Sequence, residues 1–172
     1  ASSDWSSVGQ LGKDMHECWL AGRQVFFCGN GGSAGNAIHL ANDFLYGIAK
    51  RTGGGLKVQA LSANPAVMTC LANDVGYDYI YSEQLAVLAA SGDLLVVLSG
   101  SGNSPNILRV LEQAKTMGVK SCAILGYSGG GCKSLADFSI HFPIDDMQIA
   151  EDMQLVVGHM LMKWLYQNRP AA

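Results

Sequence analysis

The feature that constrains this chain most is an alternation of short, nearly uninterrupted apolar runs, five to seven residues each, with longer stretches of helical periodicity. Strands buried on both faces read as continuous hydrophobic runs, and parallel strands need crossovers long enough to hold a helix. The spacing predicts strands over 24–28, 56–61, 93–99, 120–125 and 138–142, and helices over 33–47, 65–71, 79–89, 104–117, 133–136 and 148–166. Ahead of them, Trp5, Leu11, Met15 and Trp19 stand at roughly helical spacing and read as one amphipathic helix. Gly53, Gly54 and Gly55 form a flexible break before the second strand. The expected architecture is α/β, a single doubly wound domain over 1–172 with a five-stranded parallel sheet flanked by helices. Within it, 1–22 forms the N-terminal helix, 23–147 the sheet core and 148–168 the C-terminal helix. Ligands of such sheets bind outside the carboxyl ends of the strands.

Composition narrows the function classes. Hydrophobic residues make up 49% and charged ones 15%, which excludes disorder and predicts that part of the surface is covered in a homo-oligomer. With a net charge of −3 and no Lys/Arg cluster, the chain lacks the basic footprint of a protein that binds DNA or RNA directly. The longest apolar runs, such as 94–98, are too short to span a bilayer, and no basic segment leads into an apolar signal core. A cytoplasmic location without membrane contact is expected. The five cysteines, Cys18, Cys28, Cys70, Cys122 and Cys132, show no CxxC spacing, so neither a disulfide framework nor a zinc ribbon is indicated. Cys28 and Cys122 lie inside apolar runs and read as small core residues.

Two strand-to-helix loops carry the chemistry. After the first strand comes Gly29-Asn30-Gly31-Gly32-Ser33-Ala34-Gly35, where glycines let backbone approach a ligand and the helix start offers unpaired N–H groups to an anion. After the third comes Ser99-Gly100-Ser101-Gly102-Asn103-Ser104-Pro105, with Ser104 as a helix cap and Pro105 at the first helical position. Neither has the Gly-Lys-Ser/Thr of a Walker loop or the dinucleotide fingerprint. Two such loops on one sheet point to a bound phosphate.

A second constellation lies on helices. His39 and Asp43 are four apart and share one helical face; Glu151 and His159 are eight apart and share another. Two imidazoles and two carboxylates suit a divalent metal and equally suit a proton shuttle. His159 interrupts an apolar stretch, where an unpaired polar group would be costly. His16 and His141 carry no comparable pattern.

At these residues the chain resembles the sugar isomerase (SIS) domain family, and within it the phosphoheptose, or sedoheptulose-7-phosphate, isomerases. The resemblance rests on 29–34 with His39, on Asn73 and Asp74, on Ser99 to Ser104, and on Glu151 and His159, in matching order over nearly the whole chain. It implies a homotetramer with active sites at subunit interfaces and no organic cofactor. The reaction it implies is conversion of a ketose phosphate to an aldose phosphate through an enediol, in heptose biosynthesis for lipopolysaccharide and related polysaccharides. Substrate contacts are implied for Asn30, Gly31, Gly32, Ser33, Asn73, Asp74, Ser99, Ser101, Asn103, Ser104 and Glu151, with the phosphate on Ser101, Asn103 and Ser104. Asp43 and His159 are the implied acid–base pair, and His39, Asp43, Glu151 and His159 are the places through which some members bind zinc.

The chain also departs from that pattern. Asp43 stands where the family usually has glutamate, Glu151 where it has glutamine, Gly100 where threonine is common, and Gly47 where an arginine is common, with Lys50 and Arg51 slightly beyond. Family members also carry a longer helical segment before the first strand. A non-catalytic branch of the family assembles with a replication-initiation partner but lacks the carboxylate kept here at Asp43, and sugar-phosphate-sensing regulators carry an added DNA-binding domain for which 172 residues leave no room.

Overall fold

A computed structural model describes residues 5–50 and 54–170; Arg51 and Gly53 lie outside the described residues. In chain order the elements are α1 (Ser6–Leu20), β1 (Val25–Gly29), α2 (Gly32–Leu45), β2 (Val58–Ala60), α3 (Pro65–Asp74), α4 (Ser82–Leu88), β3 (Leu94–Ser99), α5 (Pro105–Met117), β4 (Lys120–Leu125), α6 (Cys132–Leu135), β5 (Phe138–His141) and α7 (Met147–Gln167). Single 3₁₀ turns occupy Gly47–Ala49 and Tyr77–Tyr79.

Sequence chemistry explains several of these ends. Pro105 opens α5, and Gly118 closes it in the left-handed conformation (φ 67°), which L side chains resist. Asn64 caps α3 by accepting the Val67 amide at 3.2 Å, and Asp146 caps α7 by accepting the Ile149 amide at 3.0 Å.

All five strands are parallel, in the order β2-β1-β3-β4-β5. Every residue of the central strands β1 and β3 is buried, because helices cover both faces. One core layer packs α1, α2 and α7 on the sheet through Leu11, Met15, Leu40, Phe44, Val157 and Leu161; the other packs α4 and α5 through Tyr81, Leu85, Ile107 and Val110. Cys28 and Cys122 are buried in the two layers. The winding direction changes between β1 and β3, and both glycine-rich loops leave the carboxyl ends of these two neighbours. The fold therefore sets them side by side over the switch-point crevice.

Some boundaries differ from the sequence expectation. The strand expected over 56–61 shrinks to Val58–Ala60, since the Leu56 amide turns to the Phe44 carbonyl at 3.1 Å instead of joining the ladder. The first crossover helix ends at Leu45 rather than 47: Gly55 packs so tightly on the Leu45 carbonyl that a Cβ there would stand 1.7 Å from its oxygen. The helix expected over 79–89 is split into the 3₁₀ turn at Tyr77–Tyr79 and α4. Conversely, α3 runs on to Asp74 and holds Asn73 and Asp74 in its last turn.

Candidate active site

The helices α2 and α7 lie side by side in parallel, and their contact is set by two glycines. A Cβ on Gly158 would stand 2.2 Å from Leu40 Cδ2, and one on Gly32 would stand 2.1 Å from a Glu151 carboxylate oxygen. This close approach brings His39, Asp43 and His159 together. The Nε2 atoms of His39 and His159 are 3.0 Å apart, and Asp43 Oδ2 lies 3.4 Å from the first and 3.5 Å from the second. A tetrahedral ion with ligand bonds of about 2.0–2.1 Å needs donors about 3.3–3.4 Å apart, so the three atoms fit one face of such a coordination sphere.

The two imidazoles are about half exposed, at 49% and 47%, whereas Asp43 is 17% exposed. The burial expected for His159 from its apolar surroundings is not found. Val156 and Met160 of the same stretch turn outward with it, while Val157, Gly158 and Leu161 are buried and Leu155 and Met162 pack partly against the core. Trp164 and Ile149 extend this exposed apolar face along α7.

Glu151 stays apart from the three. Its carboxylate lies over Gly32 at the start of α2, where Ser33 Oγ donates to it at 3.4 Å. A negative group is stabilised at a helix N-terminus. Around it is a network that spacing arguments missed: Gln154 Nε2 donates to Ser33 Oγ at 3.0 Å, while Asn36 Nδ2 donates to the Gln154 side chain at 3.0 Å and to the Glu151 carbonyl at 3.0 Å. Gln154 is 1% exposed and Ser33 3%, so these bonds are made out of water. A glutamine directly before the apolar run 155–157 was the available signal. Asn30 is likewise engaged, exchanging bonds of 2.9 and 2.8 Å with Asn106 of α5 and accepting one from Tyr77 at 3.3 Å. The buried Tyr81 hydroxyl donates to the Gly29 carbonyl. Gly31 takes the positive φ (55°) that turns the loop.

The second loop is organised differently. Ser99 Oγ accepts the Gly102 amide at 3.0 Å, Ser101 Oγ accepts the Asn103 amide at 3.3 Å, and Asn103 Oδ1 accepts the Gly131 amide at 2.9 Å. Ser104 occupies the cap position of α5, but its hydroxyl makes no cap bond, contrary to the expected capping role. Among the described residues, no carboxylate hydrogen-bonds to this loop. Its hydroxyls and the start of the 13-residue α5 suit an anion. Asn73 and Asp74 lie exposed at the end of α3; hydrogen bonds from Asn73 and Cys70 hold the Asp74 carboxyl below the usual range. Gly47 packs on Met162 and Asp43, 3.5 and 3.8 Å from where its Cβ would be. His16 and His141 bond the carbonyls of Asn168 and Tyr127.

The sequence profile of the SIS domain matches residues 1–126. A phosphoheptose isomerase of Akkermansia muciniphila is 41% identical over 154 residues, covering 90% of this chain and 81% of that protein. The structure of a phosphoheptose isomerase from Francisella tularensis superposes with a TM-score of 0.89 at 29% identity, covering 94% of this chain and 86% of that one. One from Neisseria gonorrhoeae gives 0.85 at 27% identity, covering 92% and 84%.

Proposed function

This chain belongs to the SIS domain family, and we propose that it is a phosphoheptose isomerase that interconverts sedoheptulose 7-phosphate and the corresponding aldose phosphate through an enediol. The observation that carries this reading is the meeting of His39, Asp43 and His159 on the α2–α7 seam of a chain whose relatives are phosphoheptose isomerases.

Charge sorts the two ends of the substrate. The second loop, to which no carboxylate among the described residues bonds, takes the phosphate on Ser101, Asn103 and Ser104. Glu151 at the first loop repels an anion but accepts bonds from sugar hydroxyls, so the carbon chain runs past it toward the three clustered side chains. Asp43 Oδ2 faces the imidazoles, whereas Oδ1, which among the described residues receives a 3.4 Å contact from Asn42, is the atom for proton transfer. It removes the proton from C1 of the ketose, leaving the enediol, and returns a proton to C2. The paired imidazoles move the accompanying proton from the O1 hydroxyl to O2, which leaves O1 as the carbonyl of the aldose. No group is consumed. A zinc ion held by His39, Asp43 and His159 would polarise the carbonyl and its neighbouring hydroxyl.

The whole chain works as one SIS domain in the cytoplasm; among the described residues, no helix is long and apolar enough to cross a membrane. The assembly is a homotetramer with sites at subunit interfaces, which the exposed Val156, Met160 and Trp164 beside His159 support. The reading is tested by incubating the protein with sedoheptulose 7-phosphate, with and without zinc, and following the aldose by NMR. Conversion is expected; its absence in both conditions, beside an active control enzyme, rejects the substrate assignment.

A further inference from the structure

The loop after β4, Gly126-Tyr127-Ser128-Gly129-Gly130-Gly131, was not singled out by the sequence, yet it lies directly against the second phosphate-type loop. The Gly126 amide donates to the Gly100 carbonyl at 3.0 Å, the Cys132 amide to the Gly102 carbonyl at 2.9 Å, and a Cβ on Gly102 would stand 2.0 Å from the Gly129 carbonyl oxygen. Tyr127 is the one non-glycine residue with positive φ (42°) among the described residues. A bulky side chain rarely adopts this conformation, and such outliers concentrate where a side chain has to be aimed.

The aim is visible in the contacts. The Tyr127 amide donates to the Ile144 carbonyl at 3.0 Å, and its carbonyl accepts from His141 Nε2 at 2.9 Å, which fixes the residue at both ends. Its ring points at Gly100: Cε2 lies 3.9 Å from where a Cβ on Gly100 would stand, beside Met147 Sδ at 2.4 Å. Cε2 is bonded to the carbon that carries the hydroxyl. The volume that a side chain at position 100 would fill is therefore taken by the Met147 thioether, with the Tyr127 ring edge next to its hydroxyl-bearing carbon in van der Waals contact beside it, next to Ser101.

We propose that Tyr127 is a substrate-binding residue, its hydroxyl donating a hydrogen bond to the phosphate held by the Ser101–Ser104 turn in place of the side chain that Gly100 lacks. The proposal rests on the phosphosugar reading of that turn. Its test uses the full chain and two ligands, inorganic phosphate by calorimetry and sedoheptulose 7-phosphate by kinetics. Tyr127→Phe keeps the ring and removes the donor, so the affinity for inorganic phosphate should fall and KM should rise by about tenfold or more, the size of a hydrogen bond to a charged acceptor. The kcat and melting temperature should stay near the parent values, since the proton-transfer groups and the packing are untouched. Met147→Leu, which preserves the wall without a donor, should leave phosphate affinity within about twofold, the measure of a volume-conserving swap. Unchanged phosphate affinity in Tyr127→Phe overturns the proposal, as does an equal loss in Met147→Leu. If the parent binds phosphate but does not isomerise the sugar, the isomerase reading fails while the phosphate titration still decides the role of Tyr127.

Discussion

The two glycine-rich loops look alike in sequence and differ in structure. In the first, a carboxylate covers Gly32, Ser33 is bonded to Glu151 and Gln154, and Asn30 is bonded to Asn106. In the second, no acidic group among the described residues bonds to the loop, and the Ser104 hydroxyl is uncommitted to a cap. Both have backbone suited to an anion, and on the proposed reading the second, with no carboxylate bonded to it among the described residues, takes the phosphate. A glycine pattern reports where backbone can come close; what comes close is decided by side chains arriving from distant elements, here α7.

This contrast can be broken by experiment. The largest effect is expected on the α2–α7 seam: His39→Ala should lower zinc affinity by more than about a hundredfold, beyond the loss typical for an outer partner, while phosphate affinity stays at the parent level. Competition with a chelating dye reads the first and calorimetry the second. Between the loops themselves, Ser104→Ala should weaken inorganic phosphate by about 1–3 kcal/mol, the range for a bond to a charged group. Ser33→Ala should leave that affinity unchanged and cost about 1–2 kcal/mol of stability in urea titration, since it orphans a bond from the buried Gln154. Equal phosphate losses in the two variants would erase the distinction.

Smaller effects sharpen the picture. Gly158→Ala forces Leu40 aside and should cost about 1–3 kcal/mol, the usual price of overpacking, read as a lowered melting temperature. The smallest is on thiol chemistry. Cys70 is exposed, but its thiol donates to Asp74, which raises its pKa; burial raises those of the four other cysteines, to about 11 for Cys18 and Cys132. Labelling near neutral pH should therefore be confined to Cys70 and accelerate with rising pH, as the reactive thiolate forms. Asp74→Asn removes the charge that opposes thiolate formation and should speed it by a fewfold.

Much of the fold was legible because its central strands are buried on both faces and leave uninterrupted apolar runs. The strand Lys120–Leu125 coincides with its run, whereas the edge strand β2 does not, since Leu56 is apolar for packing and not for pairing. Helical spacing placed His39 beside Asp43 and put Glu151 and His159 on one face. What spacing could not supply was the register between the two helices, set by the clearance at Gly158 and Gly32. For that reason Glu151 was grouped with the histidines, although it ends two turns away at the first loop. Tyr127 and Met147 were illegible for a related cause: they reach Gly100 from two separate elements, and neither carries a motif of its own.

The central claim is that the chemistry sits on the α2–α7 seam and the phosphate on the second loop. The most direct test is Asp43→Asn, nearly isosteric but unable to accept a proton at neutral pH, assayed with sedoheptulose 7-phosphate alongside phosphate calorimetry. The account predicts that turnover falls by at least about a hundredfold, the lower end for loss of a general base, while phosphate affinity stays within about twofold of the parent. Turnover by Asp43→Asn near the parent rate would contradict it.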